Sequence, residues 1–110
     1  MSTVMKKFVL TYYGEPSFTR PEDGKKYMAD WGAWMKTLGT AMTDPGVPLK
    51  PATSVSLKGV KDGGGPQRLT GYSVVQAKSG DDAVAMAKSC PHLQFGTIDV
   101  AEVVEMSMKG

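Results

Sequence analysis

The stretch Gly71-Tyr72-Ser73-Val74-Val75-Gln76-Ala77-Lys78-Ser79-Gly80-Asp81-Asp82-Ala83-Val84-Ala85-Met86-Ala87-Lys88-Ser89-Cys90-Pro91 spells a strand, a helix start, a helix and a stop in succession. Its first part is rich in β-branched and aromatic residues, and the strand it predicts begins near Arg68. Gly71 inside that strand predicts a bulge or a close backbone approach. Ser79 is an N-cap, with Asp81 and Asp82 in the positive first turn. The helix runs to about Ser89. Ala83, Ala87 and Cys90 form a small-residue stripe that packs close to a sheet, and Pro91 ends it.

The same grammar recurs outward. Lys7 to Tyr13 predicts a first strand, stopped by Gly14 and Pro16. Both of its faces carry apolar or aromatic groups, so both are expected to be covered. Thr19 and Glu22 read as a capping box before Pro21. A helix is predicted from about Pro21 to about Leu38, ended by Gly39. Met28, Trp31, Met35, Leu38 and Met42 recur at spacings of three and four, an apolar stripe flanked by Tyr27 and Trp34. Gly32 mid-helix predicts close packing, since glycine there costs about 1 kcal/mol relative to alanine. Residues 43–52 hold three prolines and read as an irregular connection. Thr53 to Lys58 alternates as a second strand, residues 59–67 read as a flexible hairpin loop, and Thr97 to Met106 is the last strand.

The order is β-α-β-β-α-β. It predicts an α+β protein of ferredoxin-like plan, four antiparallel strands with both helices on one face. Residues 1–110 fit a single domain, large enough for a core without metal or disulfide support. The second sheet face, with Val9, Tyr13, Val75 and Val103, is too apolar to stay wet. A second copy of the chain is the expected cover, which predicts a homodimer through the open sheet face.

Thirteen basic and eleven acidic residues are interspersed, with no like-charge run longer than Lys6-Lys7 or Lys25-Lys26. That argues against a nucleic-acid footprint and against a polybasic membrane patch. The apolar run Phe8-Val9-Leu10 is too short for a span or a signal peptide. One cysteine, Cys90, excludes an internal disulfide and fits a reducing compartment, so a cytoplasmic protein is expected. One histidine, His92, excludes mechanisms that need two. The glycine-rich loop 59–65 is followed by no Gly-Lys-Ser/Thr and no helix, so it is not a P-loop. Nothing in the sequence asks for a cofactor or a metal.

Gly71 to Val75, Asp82 to Lys88, Cys90-Pro91-His92-Leu93 and Gly96-Thr97-Ile98-Asp99-Val100-Ala101-Glu102, with Phe8 to Gly14 and the helix Trp31…Trp34…Leu38-Gly39, together resemble the YCII-related family of small bacterial proteins. The branch is the one akin to DGPF-domain proteins. The resemblance spans nearly the whole chain. It implies a ferredoxin-like fold that dimerises sheet to sheet, a dimeric α+β barrel, and, from one family activity, dehydrochlorination of an aromatic ring compound. Two departures stand out. The loop here reads Asp62-Gly63-Gly64-Gly65-Pro66-Gln67 where that branch has Asp-Gly-Pro-Phe. Met28 and Thr37 stand where some members carry a His and an Asp proposed as a catalytic pair.

His92 is the default general acid or base, because imidazole titrates near neutral pH. The alternative reading makes it a partly exposed cap of the second helix. Asp30, beside Trp31, is a second candidate base, otherwise a solvated helix carboxylate. Glu102 shares the apolar face of the last strand, and a carboxylate buried in a barrel would have a raised pKa. The alternative is a bulge or a strand end that lets it reach water or Arg68. Tyr12, Trp31, Trp34 and Tyr72 are candidates for the wall of a ligand cavity between the first helix and the sheet, with Arg68 beside them. Of the two tryptophans, Trp31 is expected in the core and Trp34 at its border. Cys90, at a helix C-terminus, reads as an inert buried thiol. Two functions follow: a small-molecule site, enzymatic or binding, for an aromatic or acidic metabolite, or a non-catalytic dimeric module with a filled interior.

Overall fold

The computed structural model describes residues 4–65 and 67–105. Strand β1 (Lys6–Tyr13) leads through a loop to helix α1 (Pro21–Leu38), and a 3₁₀ turn (Gly39–Ala41) passes into the short strand β2 (Met42–Asp44). Strands β3 (Thr53–Ser56) and β4 (Gly59–Asp62) follow, then β5 (Leu69–Ala77), helix α2 (Gly80–Lys88), a second 3₁₀ turn (Pro91–Gln94) and β6 (Thr97–Glu102). The main sheet has the order β2-β5-β1-β6, every pair antiparallel. β3 and β4 form a separate two-stranded ribbon.

Alternation decides which side of the sheet is dry. Phe8, Leu10 and Tyr12 of β1 and Ser73, Val75 and Ala77 of β5 are buried. They join Trp34 of α1, Ala83 of α2 and Cys90 in one core, so both helices cover the same face. Lys7, Val9, Thr11 and Tyr13 point to the other side, opposite Gln76, Val74 and Tyr72. Val75 is therefore a core residue, and Val74 takes the place on the open face that the sequence reading gave it.

Local signals hold well in the helices. Ser79 Oγ accepts from the Asp82 N–H at 3.2 Å, and Gly39 adopts φ 54° with its N–H bonded to the Met35 carbonyl. The Thr19 capping box does not form: Arg20 is the N-cap, without a side-chain cap, and its guanidinium reaches Asp23 at 3.4 Å. The inward stripe of α1 is also rotated by one residue. Tyr27 and Trp34 are buried, Trp31, Met35 and Leu38 half-buried, and Met28 is 68% exposed. Gly32 lies exposed, with nothing within 4 Å of where a Cβ would stand, so no close packing calls for it.

Three strand readings are corrected. Thr53–Ser56 is a strand, but it pairs only with Gly59–Asp62, inside the stretch read as a loop, and the turn falls at Leu57-Lys58. The place beside β5 goes to Met42 and Asp44 (opposite Val75 and Val74), and Pro45 stops them because it has no N–H to donate. β6 ends at Glu102, which is exposed on an edge strand of this chain; Met106 lies outside the described residues.

Among the described residues, no helix is long and apolar enough to cross a membrane.

Candidate functional site

A cavity of about 340 Å³ lies between α1, the β1–β5 face and the segment 45–48. Its wall is aromatic because β1 and α1 each turn aromatic residues inward at their own period. The Tyr12 ring meets Trp31 edge-on at 5.3 Å, and Trp31 meets Trp34 at 5.2 Å. Phe18, Tyr27 and Phe95 extend the cluster at 5.2–5.3 Å between centroids. Apart from the tilted Phe18–Tyr27 pair, these contacts set ring edges against ring faces.

A buried polar chain runs behind the lining residues Tyr12 and Pro45. Tyr12 donates its hydroxyl to Ser73 Oγ at 2.8 Å, and Ser73 donates onward to the Pro45 carbonyl at 2.8 Å. The direction is forced, since a carbonyl only accepts. Burial pushes the Tyr12 hydroxyl far above its ordinary pKa, with the Ser73 bond opposing, so it stays a neutral donor. Burial also raises Tyr27.

His92 borders the same cavity, 2% exposed, its ring 5.4 Å from that of Tyr12. Its Nε2 lies 2.8 Å from the Tyr13 carbonyl oxygen. That oxygen accepts only, so Nε2 carries a proton and Nδ1 is the basic atom of the neutral ring. The partly exposed helix cap expected from sequence is not what forms. Two glycines let the anchor exist: a Cβ at Gly96 would collide with the Tyr13 carbonyl oxygen, and one at Gly14 (φ 107°) would sit 2.8 Å from the Phe95 oxygen.

The other candidates are dispersed. Trp34 is a core residue, 5% exposed, its indole N–H donated to the Met86 carbonyl at 3.0 Å. Trp31 is the one that walls the cavity, the reverse of the expected roles. Tyr72 alternates to the opposite sheet side from Ser73 and touches the cavity where Gly46 (φ 70°) crosses its backbone. Asp30 is paired with Lys26 at 3.0 Å on the surface of α1, outside the cavity lining. Glu102 is remote on β6. Arg68 sits in a shallower groove of about 790 Å³ that meets the cavity at Tyr27, Met28 and Thr70. There it donates to the Leu49 carbonyl at 3.2 Å and lies 3.5 Å from Glu15.

Cys90 is buried, and burial pushes its thiol up to about 11, opposed by the His92 backbone N–H. Among the described residues, no group of three His, Cys, Asp or Glu gathers where it could hold one metal ion. The sequence reading missed Tyr27, Ser73 and the 45–48 strap. Ser73 had a signal, a hydroxyl two residues from Val75 on the same strand face.

No family model matches the chain, and no curated protein does. Among solved structures it is similar to 5-chloro-2-hydroxyhydroquinone dehydrochlorinase from Burkholderia phenoliruptrix in complex with 2,5-dihydroxybenzoquinone. Identity is 17%, the alignment covers 94% of this chain and 95% of that one, and the TM-score is 0.53. At that identity the likeness is one of fold.

Proposed function

We propose that the chain binds a small aromatic metabolite in the cavity under α1 and transforms it by proton transfer, with His92 as the acid-base group. The observation that carries this reading is the burial of His92 beside the cavity with Nε2 held by the Tyr13 carbonyl. One ring nitrogen is tied down and the other is left to exchange a proton. A volume of about 340 Å³ lies at the small end of ligand sites and suits a single ring. The aromatic wall supplies faces and edges for such a ring, and Thr70 and His92 are polar residues on the lining. A chain of similar fold holds 2,5-dihydroxybenzoquinone, which is of this size class and supports the choice of quinones and phenols as first ligands. Met28 and Thr37 supply no proton pair: Met28 is exposed, and the Thr37 hydroxyl donates to the Ala33 carbonyl at 2.9 Å.

We read the sheet order as the ferredoxin-like plan with the β3–β4 ribbon inserted. The half-buried Val9, Tyr13, Tyr72 and Val74 then form the face on which two copies pair. The alternative, a module with a filled interior, fits poorly with an open cavity.

The test is a thermal-shift screen of hydroxylated benzenes and benzoquinones, followed by NMR of the His92 ring. A hit is expected to shift the His92 ring resonances, and His92→Gln to abolish the turnover of that compound while retaining the fold. A hit that leaves the His92 resonances unmoved, or full turnover in His92→Gln, overturns the assignment.

A further inference from the structure

The β3–β4 ribbon is where this fold leaves apolar surface unaccounted for. Every residue of both strands is exposed. Val55 and Val60 face each other across the ladder at 76% and 68% exposure, and Leu57 at the turn is fully exposed. An isolated two-stranded hairpin is marginal in water. The ribbon also stands away from the body: the radius of gyration is 16.1 Å and the long axis 51 Å, against about 13 Å for the radius of a compact chain of this length.

Charge says what fits it. Lys50, Lys58 and Lys61 lie on or beside the ribbon, with Asp62 the one acid there. β6 is the outer strand of the main sheet, paired to β1 alone. Asp99 and Glu102 on it and Glu105 just beyond are exposed. Among the described residues none of these seven groups has an ion-pair partner. The ribbon follows β2, and β2 and β6 are opposite edges of the sheet. A basic, apolar arm and an acidic free edge on opposite sides of one chain are complementary between two chains, and a two-fold axis satisfies both pairs at once.

We propose that the β3–β4 ribbon is an arm that clasps a second copy of this chain, seating Val55, Leu57 and Val60 beside β6 with Lys58 and Lys61 against Asp99 and Glu102. Asp99 lies opposite Thr11 and Ala101 opposite Val9, on the open-face side of β6, while Glu102, opposite Phe8, lies on its other side. Lys61, opposite Ser54, likewise lies on the other ribbon face from Val55 and Val60, so the arm meets the edge of β6 with both of its faces. The inference rests on the pairing of chains proposed above and is independent of the cavity.

The experiment mixes two variants, Leu57→Cys and Asp99→Cys, under mild oxidation; the native Cys90 is buried. A covalent dimer formed only in the mixture is expected. In sedimentation, Lys58→Glu with Lys61→Glu should weaken dimerisation at least tenfold, and Asp99→Lys with Glu102→Lys on the partner should restore it. A dimer that neither cross-links nor responds to the charge changes overturns the arm and leaves the pairing standing. A monomer at micromolar concentration overturns both. Sedimentation with anionic vesicles that Leu57→Asp abolishes would assign the arm to a membrane surface and overturn the clasp.

Discussion

Truncating the two tryptophans of α1 separates the core from the cavity. Trp34 is almost fully buried, donates its N–H to the Met86 carbonyl and packs edge-on to Trp31. Trp34→Ala removes a large core side chain and leaves a void, a loss of about 3–5 kcal/mol. In a domain whose whole stability is about 5–15 kcal/mol, that lowers the melting temperature by about 12–20 °C at roughly 4 °C per kcal/mol. Trp34→Phe should cost far less. It keeps most of the ring, and the Met86 carbonyl still accepts from the Ser89 hydroxyl at 3.0 Å, so the loss is the net value of one hydrogen bond, about 1 kcal/mol, plus a small void. Trp31 is half-buried and faces the cavity, so Trp31→Ala should cost about 2 kcal/mol and abolish the stabilisation given by an aromatic ligand. Urea unfolding of each variant measures the first effect, and thermal shift with ligand the second. The chain has two tryptophans, so the emission of Trp31→Phe reports Trp34 alone and should resist quenching by acrylamide, whereas Trp34→Phe should be quenched. Equal stability losses with equal quenching would refute the division of roles.

Four further outcomes follow from the same geometry. Gly32→Ala should stabilise the chain by up to about 1 kcal/mol in urea unfolding, because the site is helical, exposed and open. Gly46→Ala should destabilise it, because φ is 70° and the new Cβ collides with the Tyr72 carbonyl. Ser73→Ala should cost more than Tyr12→Phe in the same assay: the first strands the Tyr12 hydroxyl, whereas the second leaves Ser73 bonded to Pro45, a loss of about 1 kcal/mol. Cys90 remains a thiol in the folded chain up to about 11 but ionises near 9 when unfolded. The folded state then holds more protons across that window, so stability should fall as pH rises through it, by about 2 kcal/mol. Cys90→Ala should flatten that fall, with the residual slope at higher pH coming from Tyr12 and Tyr27.

The limits of α1 and α2 were legible because stops and caps are local: Pro21, Gly39 and Pro91 act on their own backbone, and Ser79 acts on Asp82. The facing of α1 was not. Methionine, tryptophan and tyrosine all lie within one broad apolar arc, and the inward side is chosen by contacts 52 residues away, such as that between Trp34 and Met86. β2 was missed for a related reason. It is three residues long, while Thr53 to Lys58 alternates better; alternation reports two unlike faces, and an arm has those as well as a sheet strand. Aromatic residues at the cavity could be foreseen, but the partner that fixes the His92 tautomer is a backbone carbonyl 79 residues away, and carbonyls leave no mark on sequence.

The crossing of Gly14 and Gly96 extends the cavity's genetic footprint to a residue with no side chain. Tyr13 can hold its carbonyl toward His92 only while position 96 stays empty. Any larger residue there must push the strand end aside and free the imidazole to choose its other tautomer. A substitution such as Gly96→Ala, judged by hydropathy or charge, changes nothing. It would nonetheless cost stability as Gly46→Ala does, since the new Cβ meets the Tyr13 carbonyl oxygen, and it would disturb the carbonyl that holds His92 Nε2.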